Sequence, residues 1–256
     1  MKRILLGITV CFLVSCAELD TNVKDVIGAA QSSFPIVPGP GTNSGTLAPT
    51  SVESVLATKE ALEKGVGYGI NLLSKSGGFT DSIHHIVIPS ELQKASNLAR
   101  NVGLGSYVDG FETSLNKAAE QAVSSSVPIF KDAIRNMTFT DVVTILRGPE
   151  DAATRYFKSA SEKKLVETFR PIVAKATAQN NVGSIYMQLS TAVRPAALAA
   201  GVPVPAVNLD EYVSTKAVDA LFVEIANQEK KIRENPLEQS TALLKKVFSY
   251  YGKKSS

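Results

Sequence analysis

Cysteine, histidine and tryptophan are scarce in this chain of 256 residues, which contains two cysteines, two histidines and no tryptophan. Both cysteines, Cys11 and Cys16, lie near the amino terminus, so the rest of the chain has no thiol for a disulfide, a cysteine zinc site or a cysteine nucleophile. A histidine-based triad or metal site must use His84 or His85. Because adjacent residues of an extended segment point to opposite faces, these two side chains do not easily share one metal ion. We therefore predict no metal site and no cofactor.

An excess of one charge is also missing. The chain has 27 basic and 24 acidic residues, a formal net charge of +3. Two of the basic residues, Lys2 and Arg3, lie in the segment that we expect to be removed, which leaves 25 basic and 24 acidic residues. Proteins that bind nucleic acid carry clustered positive charge. The nearly neutral balance therefore argues against a nucleic acid partner.

The amino terminus has the pattern of a bacterial signal peptide. Lys2 and Arg3 precede an apolar run at 4–13, which is shorter than the roughly 20 residues that a transmembrane helix needs. The Leu-Val-Ser-Cys quartet that ends at Cys16 resembles the bacterial lipobox, in which the thiol takes a diacylglycerol and the peptide is cut before the cysteine. We predict a signal peptide at 1–15 and lipidation of Cys16. The alternative is an ordinary secreted protein with a cysteine at this position by chance.

A lipid anchor on Cys16 holds a protein at a membrane without a transmembrane helix. Each buried methylene contributes about 0.8 kcal/mol, so two or three acyl chains such as palmitate bind firmly where one chain binds only marginally. The residue after the cysteine, Ala17, resembles the pattern of lipoproteins sorted to the outer membrane, because the best-known signal for retention at the inner membrane has aspartate at this position. We therefore expect the protein in the bacterial cell envelope, at the outer membrane and facing the periplasm.

Residues 16–51 are predicted to be a flexible tether. From Gln31 to the end of this segment, glycine, proline, serine and threonine dominate, and such a composition buries too little apolar surface to fold alone. About 30 flexible residues have a root-mean-square reach of roughly 30 Å. The folded domain is thus expected to stand clear of the bilayer.

The remaining residues, 52–256, have the periodicity of helices. An apolar stripe at spacings of three and four residues marks one amphipathic helix; its members are Val108, Phe111, Leu115, Ala118 and Ala122. The only strand-like segment is 83–88, which is too short to build a sheet. We predict an all-α fold, in the form of a single multi-helix, bundle-like domain.

Helix boundaries are signalled by capping residues and prolines. Asn208 is predicted to cap one helix, with Glu211 as its capping-box partner. The Asn-Pro pair that ends at Pro236 predicts another helix start. The apolar stripe that follows, at 237–251, either closes the bundle or lies on anionic lipid, and its spacing favours the first interpretation. Pro171 falls inside a helical pattern and is expected to break or kink it.

Several catalytic motifs occur without their context. Tyr212 and Lys216 have the Tyr-x-x-x-Lys spacing of short-chain dehydrogenases, but no strand–glycine loop–helix unit precedes them. Ser161 and Lys164 have the Ser-x-x-Lys spacing of penicillin-binding enzymes, but Ser-Asp-Asn and Lys-Thr-Gly are absent. The glycine-rich stretch 65–69 lacks the Gly-Lys-Ser/Thr end of a phosphate loop, so we interpret it as allowing close helix packing.

Five sequence blocks in order resemble the bacterial family called domain of unknown function 4197, over about residues 54–248. They are KEALEKGV at 59–66, NKAAE at 116–120, DAATRYF at 151–157, FRPIV at 169–173, and a block over 220–236 that includes ALF at 220–222 and ends in KIRENP. The resemblance implies an all-helical domain exported to the envelope, and it implies no activity. The tether and residues 201–207 depart most from the family pattern.

The candidate binding residues lie in the third of these blocks. Asp151, Thr154 and Arg155 are one helical turn apart, and Tyr156 is next to them. Asp151 and the preceding Glu150 could serve acid–base chemistry or bind a cation. Their position at a predicted helix start explains them equally well, because carboxylates there stabilise the helix dipole, and we favour this structural interpretation.

Two functions remain open from the sequence. The first is a non-enzymatic helical module that binds an envelope protein or a lipid-like ligand. The alternative is an envelope hydrolase of unrecognised type. Because we find no thiol, metal-ligand cluster or catalytic triad, we favour the non-enzymatic module and assign no catalytic residue. A ligand-binding module is expected to contain an apolar cavity or groove, whereas an enzyme is expected to bring titratable groups together in a cleft.

Overall fold

Helices form the whole regular structure of the described chain. The computed structural model describes residues 48–140 and 142–252, and within these ranges it contains nine α-helices, one 3-10 turn and no β-strand. The helices are α1 (Ser51–Leu73), α2 (Gln93–Asn101), α3 (Gly105–Ser124), α4 (Val127–Asn136), α5 (Val142–Arg147), α6 (Ala152–Gln179), α7 (Val182–Ala200), α8 (Leu209–Glu234) and α9 (Ala242–Gly252), and the 3-10 turn is Ser90–Leu92. The all-α prediction is confirmed.

The antiparallel pair α1 and α8 forms the centre of the domain. A Cβ atom added at Gly65 would lie 3.0–3.2 Å from side-chain and backbone atoms of Ile225, and one added at Gly69 would lie 3.1 Å from the Cβ of Glu224. These distances are tighter than ordinary van der Waals contact, so the two glycines let the helix backbones approach each other. The prediction that this glycine-rich stretch allows close helix packing is therefore confirmed.

Aromatic side chains fill the space between α4, α6 and α8. The rings of Phe130, Phe157 and Phe222 contact one another with centroid separations of 5.4–6.4 Å, and all three are buried. Helices α3 and α7 extend this core on the side of α6, and α2 packs against both of them. A second apolar cluster joins the first half of α1 to α5 and α9.

Two helix starts carry side-chain caps, one of which was predicted. Glu211 donates its backbone N–H to the side-chain oxygen of Asn208 at 3.1 Å, so the predicted cap of α8 is present. The reciprocal half of the predicted capping box is not, because the Glu211 carboxylate accepts from the side-chain amide of Asn208 instead of its backbone N–H. Thr50 and Glu53 form a reciprocal capping box at the start of α1, which begins at Ser51. The predicted signal peptide at 1–15, Cys16 and most of the predicted tether lie outside the described residues.

The start of the last helix differs from the prediction. The Asn-Pro pair does not begin a helix: Pro236 lies in a turn, Leu237 is 89% exposed, and α9 begins at Ala242. The chain turns here because the buried Gln239 side chain donates to the carbonyl of Ile232 at 2.9 Å, which ties the segment back to α8. The predicted stripe consists of Leu243, Leu244, Val247, Phe248 and Tyr251, and all of these except the half-buried Leu243 are buried.

The break that was predicted at Pro171 does not occur: α6 runs through this residue, from Ala152 to Gln179. Proline lacks one backbone hydrogen bond and clashes with the preceding turn, but a helix of this length packed against α3 and α8 is held by tertiary contacts on both sides of it.

The segment 83–88, predicted to be strand-like, forms no strand: residues 83 and 84 lie in a turn, and residues 85–88 are irregular and bond to side chains. The buried Asn116 side chain accepts from the N–H of Ile86 at 2.8 Å and donates to its carbonyl at 2.9 Å. The hydroxyl of Tyr212 donates to the carbonyl of Val87 at 2.9 Å. Because buried backbone groups need partners, these bonds replace a sheet and hold the segment against α3 and α8.

Candidate functional site

The four candidate residues at the start of α6 do not converge on one site. Thr154 is buried and hydrogen-bonded within the domain, whereas Arg155 lies on the surface and pairs with Asp151 at 2.8 Å. The hydroxyl of Tyr156 donates to the carbonyl of Thr138 at 2.7 Å. Asp151 precedes the first residue of α6, as expected for an acid at a helix start. Only Tyr156 lines a cleft, which is described below.

Glu229 of α8 is the partner that the sequence did not reveal. Its carboxylate accepts the backbone N–H groups of Ala153 at 3.0 Å and Thr154 at 2.8 Å, and the hydroxyl of Thr154 at 2.7 Å. Arg233, one turn further along α8, donates to the same carboxylate at 2.8 Å. The two side chains are 1% and 11% exposed. The Glu-to-Arg spacing of four residues was visible in the sequence, but the contact with α6 was not.

The terminal nitrogens of the Arg233 guanidinium connect α8 to α5. They donate to the carbonyls of Leu146 at 2.9 Å and Ile145 at 3.2 Å, in the last turn of α5. The end of one helix and the start of the next are thus both satisfied by side chains of α8, which is what unpaired helix termini require. This arrangement braces three helices and leaves little capacity for a ligand.

A cleft of about 600 Å³ lies beside this brace, between α5, α8 and α9. Its carboxylates Glu150 and Glu234 both face Lys230, at 2.7 and 3.9 Å. The hydrogen bond from Lys230 to Glu150 raises the pKa of the lysine, and the charges of both carboxylates raise it further. The charges of this cleft are therefore already paired.

A second cleft, of about 460 Å³, lies between α4 and α6. Its lining on α6 runs from Tyr156 to Thr168, which corresponds to about 18 Å at a rise of 1.5 Å per residue. The apolar part of the lining consists mainly of Ile129, Ala133, Met137, Tyr156 and Leu165. The polar part includes Asp132, Asn136, Ser161, Lys164 and Thr168. We call this the α4–α6 cleft.

Ser161 and Lys164 both line the α4–α6 cleft but do not form a catalytic pair. The hydroxyl of Ser161 donates to the carbonyl of Phe157 at 2.6 Å, one turn earlier in the same helix. A serine nucleophile needs a base as its hydrogen-bond acceptor. The geometry therefore agrees with the sequence-based judgement that this Ser-x-x-Lys spacing is not an active site.

The Tyr-x-x-x-Lys match has the wrong electrostatics for dehydrogenase chemistry. Burial raises the pKa of Tyr212, and the carboxylates of Glu91 and Glu112 raise it further. The ammonium of Lys216 lies 5.7 Å from the centre of the tyrosine ring. A tyrosine that acts as an acid in that family needs a lowered pKa, so this pair packs rather than reacts.

The two histidines have separate partners. A ring nitrogen of His84 lies 2.7 Å from the carboxylate of Glu224, and a ring nitrogen of His85 lies 2.9 Å from the carbonyl of Thr80. Within residues 48–140 and 142–252, no three side chains of the His, Cys, Asp and Glu types are placed to hold a metal ion.

None of the helices in this part of the chain has the length and apolar character to cross a membrane.

Comparisons with known proteins identify a family. The family described as "Protein of unknown function (DUF4197)" matches residues 48–249. Searches of curated proteins and of solved structures gave no match. The match covers the helical domain from the cap of α1 to the last turns of α9. The chain therefore belongs to the DUF4197 family, as the five sequence blocks predicted.

Proposed function

We propose that this protein is a bacterial envelope lipoprotein, anchored through Cys16, whose helical domain binds a ligand or partner without converting it. The observation that carries the binding role is the α4–α6 cleft, whose lining combines apolar side chains with a smaller set of polar and charged groups. Its volume lies in the range of about 300–1,000 Å³ that is usual for small-molecule sites. The lipobox resemblance at Cys16 and the residue after it support an outer-membrane location facing the periplasm.

The character of the two clefts favours binding over catalysis. An active site brings together groups whose protonation is tuned for proton transfer or nucleophilic attack. The charged groups that line the 600 Å³ cleft are paired with neighbouring residues, Glu150 and Glu234 with Lys230 and Arg233 with Glu229. The serine of the α4–α6 cleft bonds to its own helix. Nothing in the described residues favours the hydrolase alternative, so the binding module is the function that we propose.

A photo-crosslinker in the α4–α6 cleft tests this proposal in the living bacterium. The amino acid p-benzoylphenylalanine replaces Ala160, which is exposed and lines the cleft, and, as a matched control, Ser159, which is exposed on the same helix but does not line it. We expect adducts at position 160 that are absent at position 159. The mass of each adduct then distinguishes a small lipid-like ligand from an envelope protein. Identical adducts at both positions, or none at 160, would contradict the proposal.

A further inference from the structure

The α4–α6 cleft presents its groups in a definite order along α6. Tyr156, Ala160, Lys164 and Thr168 are spaced by four residues, so they lie on one ridge of the helix. The first two offer apolar surface, and the third offers a cation about 12 Å further along than Tyr156, at a rise of 1.5 Å per residue. Along this ridge, the apolar surface therefore comes first and the positive charge follows.

The other wall of the cleft, on α4, presents apolar side chains beside the polar Asp132 and Asn136. Ile129 and Ala133 lie one turn apart on α4, and Met137 follows the helix end. Leu165 lies beneath the ridge of α6 and is buried. When an unbranched apolar chain binds in such a groove, its surface is removed from water. Each Å² of apolar surface buried in this way contributes roughly 25 cal/mol to binding.

Lys164 is the cation of this cleft that lacks an acidic partner among the described residues. The acid that lines the same cleft, Asp132, lies 3.9 Å from Arg135 on its own helix. Lys164 therefore offers a ligand a positive charge that no carboxylate of the described residues pairs within 4 Å. An ammonium group next to apolar surface is complementary to an anionic head that carries an apolar tail.

We propose that the α4–α6 cleft binds a single-chain amphiphile with an anionic head, placing the tail along Tyr156 and Ala160 and the head at Lys164. This inference rests on the proposed binding function and specifies its ligand class. The volume of about 460 Å³ fits a small amphiphile. A carboxylate and a phosphate head satisfy the same cation, so the experiment compares both.

Binding is measured by calorimetry on the chain that starts at residue 16 and carries Cys16→Ser, which removes the lipid site. The probes are decanoate, decyl phosphate, neutral decanol and cationic decyltrimethylammonium, each below its micelle-forming concentration. Lys164→Met keeps the apolar stem and removes the charge. Lys163→Met removes the same charge from the neighbouring exposed lysine, which does not line the cleft. Lys164→Arg restores a cation at the site.

We expect both anionic probes to bind about fivefold more tightly than decanol, the ratio for one exposed ion pair of about 1 kcal/mol. Lys164→Met should abolish this ratio, whereas Lys163→Met and Lys164→Arg should keep it. Equal binding of all four probes, or loss of the ratio in Lys163→Met, would overturn the anionic class and leave cleft binding intact.

A fluorescent reporter separates failure of this inference from failure of the proposed function. Because the chain has no tryptophan, Ala160→Trp introduces a single one in the cleft and Ser159→Trp introduces one beside it. A shift of emission with decanoate in the first variant alone supports the inference. If decanol shifts the emission as much as decanoate does, the cleft binds the apolar tail without distinguishing the head group. That result overturns the proposal of an anionic ligand and leaves the proposed binding function intact. Absence of any response, together with absence of a crosslinked adduct at position 160, overturns both proposals.

Discussion

Replacing Glu229 by alanine tests the idea that one buried carboxylate holds three helices together. The substitution removes the acceptor of two backbone N–H groups in the first turn of α6 and of the Thr154 hydroxyl. It also leaves Arg233, which is 11% exposed, without its counter-charge. The guanidinium keeps its bonds to the carbonyls of α5, so it stays buried in the same place.

The expected cost follows from these lost contacts. Removal of one partner of a buried ion pair costs about 3–5 kcal/mol, and the total free energy of unfolding of a domain is about 5–15 kcal/mol. In urea, a slope of about 2–3 kcal/mol per molar is usual for a domain of this size. We therefore expect the unfolding midpoint of Glu229→Ala to fall by about 1–2 M urea, with an unchanged slope.

The assay is a urea titration followed by circular dichroism, with Arg155→Ala as the control. Arg155 also pairs with an acid at 2.8 Å, but its side chain is 69% exposed. Exposed pairs of this spacing contribute only about 0.3–0.5 kcal/mol, so the control should keep its midpoint within about 0.3 M of that of the unmodified chain. A loss of less than about 0.5 M for Glu229→Ala, or equal losses for both variants, would refute the role of the brace.

Three further predictions concern the central helix pair, the start of α1 and the anchor. Gly65→Ala should lower the free energy of unfolding by about 1–3 kcal/mol, because its Cβ would meet the backbone of Ile225. Gly67 lies in the exposed middle of the same helix with open space around it, so Gly67→Ala should raise the free energy of unfolding by up to about 1 kcal/mol, and urea titrations compare the two variants. The hydrogen bond from Lys246, at 2.6 Å, together with the hydrogen bonds from the backbone N–H and the hydroxyl of Thr50, lowers the pKa of Glu53 from 4.5 to about 2, so these contacts contribute stability above pH 4.5 that is lost as the pH falls toward 2. An NMR titration of Lys246→Met should find the pKa of Glu53 raised but still below 4.5, because the Thr50 bonds remain, and an unchanged value would contradict the pairing. Cys16→Ser should release the protein from membranes or leave the precursor uncut, and an intact mass that shows an amino terminus other than acylated Cys16 would disprove lipidation.

The fold class was predictable because the signals of a helix lie within a few residues of each other in the sequence. Spacings of three and four residues placed Val108 and Phe111 on one buried stripe, and both are fully buried in α3. The Asn208 cap was readable for the same reason, since a cap and its partner are three residues apart. The start of α9 was misread because the deciding contact, from Gln239 to the carbonyl of Ile232, depends on how the chain turns after α8.

The candidate site was only partly predictable, because it is made by contacts between distant segments. Thr154 and Tyr156 were singled out from one sequence block, yet the first belongs to the brace and the second to the α4–α6 cleft. The residue that binds Thr154, Glu229, is 75 positions further along the chain. Nothing in the periodicity of α8 indicates which of its buried positions faces the start of α6.

The Ser-x-x-Lys spacing illustrates how a helix produces motif matches without chemistry. Residues three positions apart lie on the same face of any α-helix, so an amphipathic helix with a polar edge generates such pairs by its periodicity alone. The hydroxyl of Ser161 is satisfied by the carbonyl of Phe157, which is a common arrangement for serine inside a helix. Lys164 lines the α4–α6 cleft, and in the proposed complex its side chain binds an anionic head rather than activating a nucleophile. The same two residues therefore argue against the enzyme that their spacing resembles and in favour of the ligand that their surroundings fit.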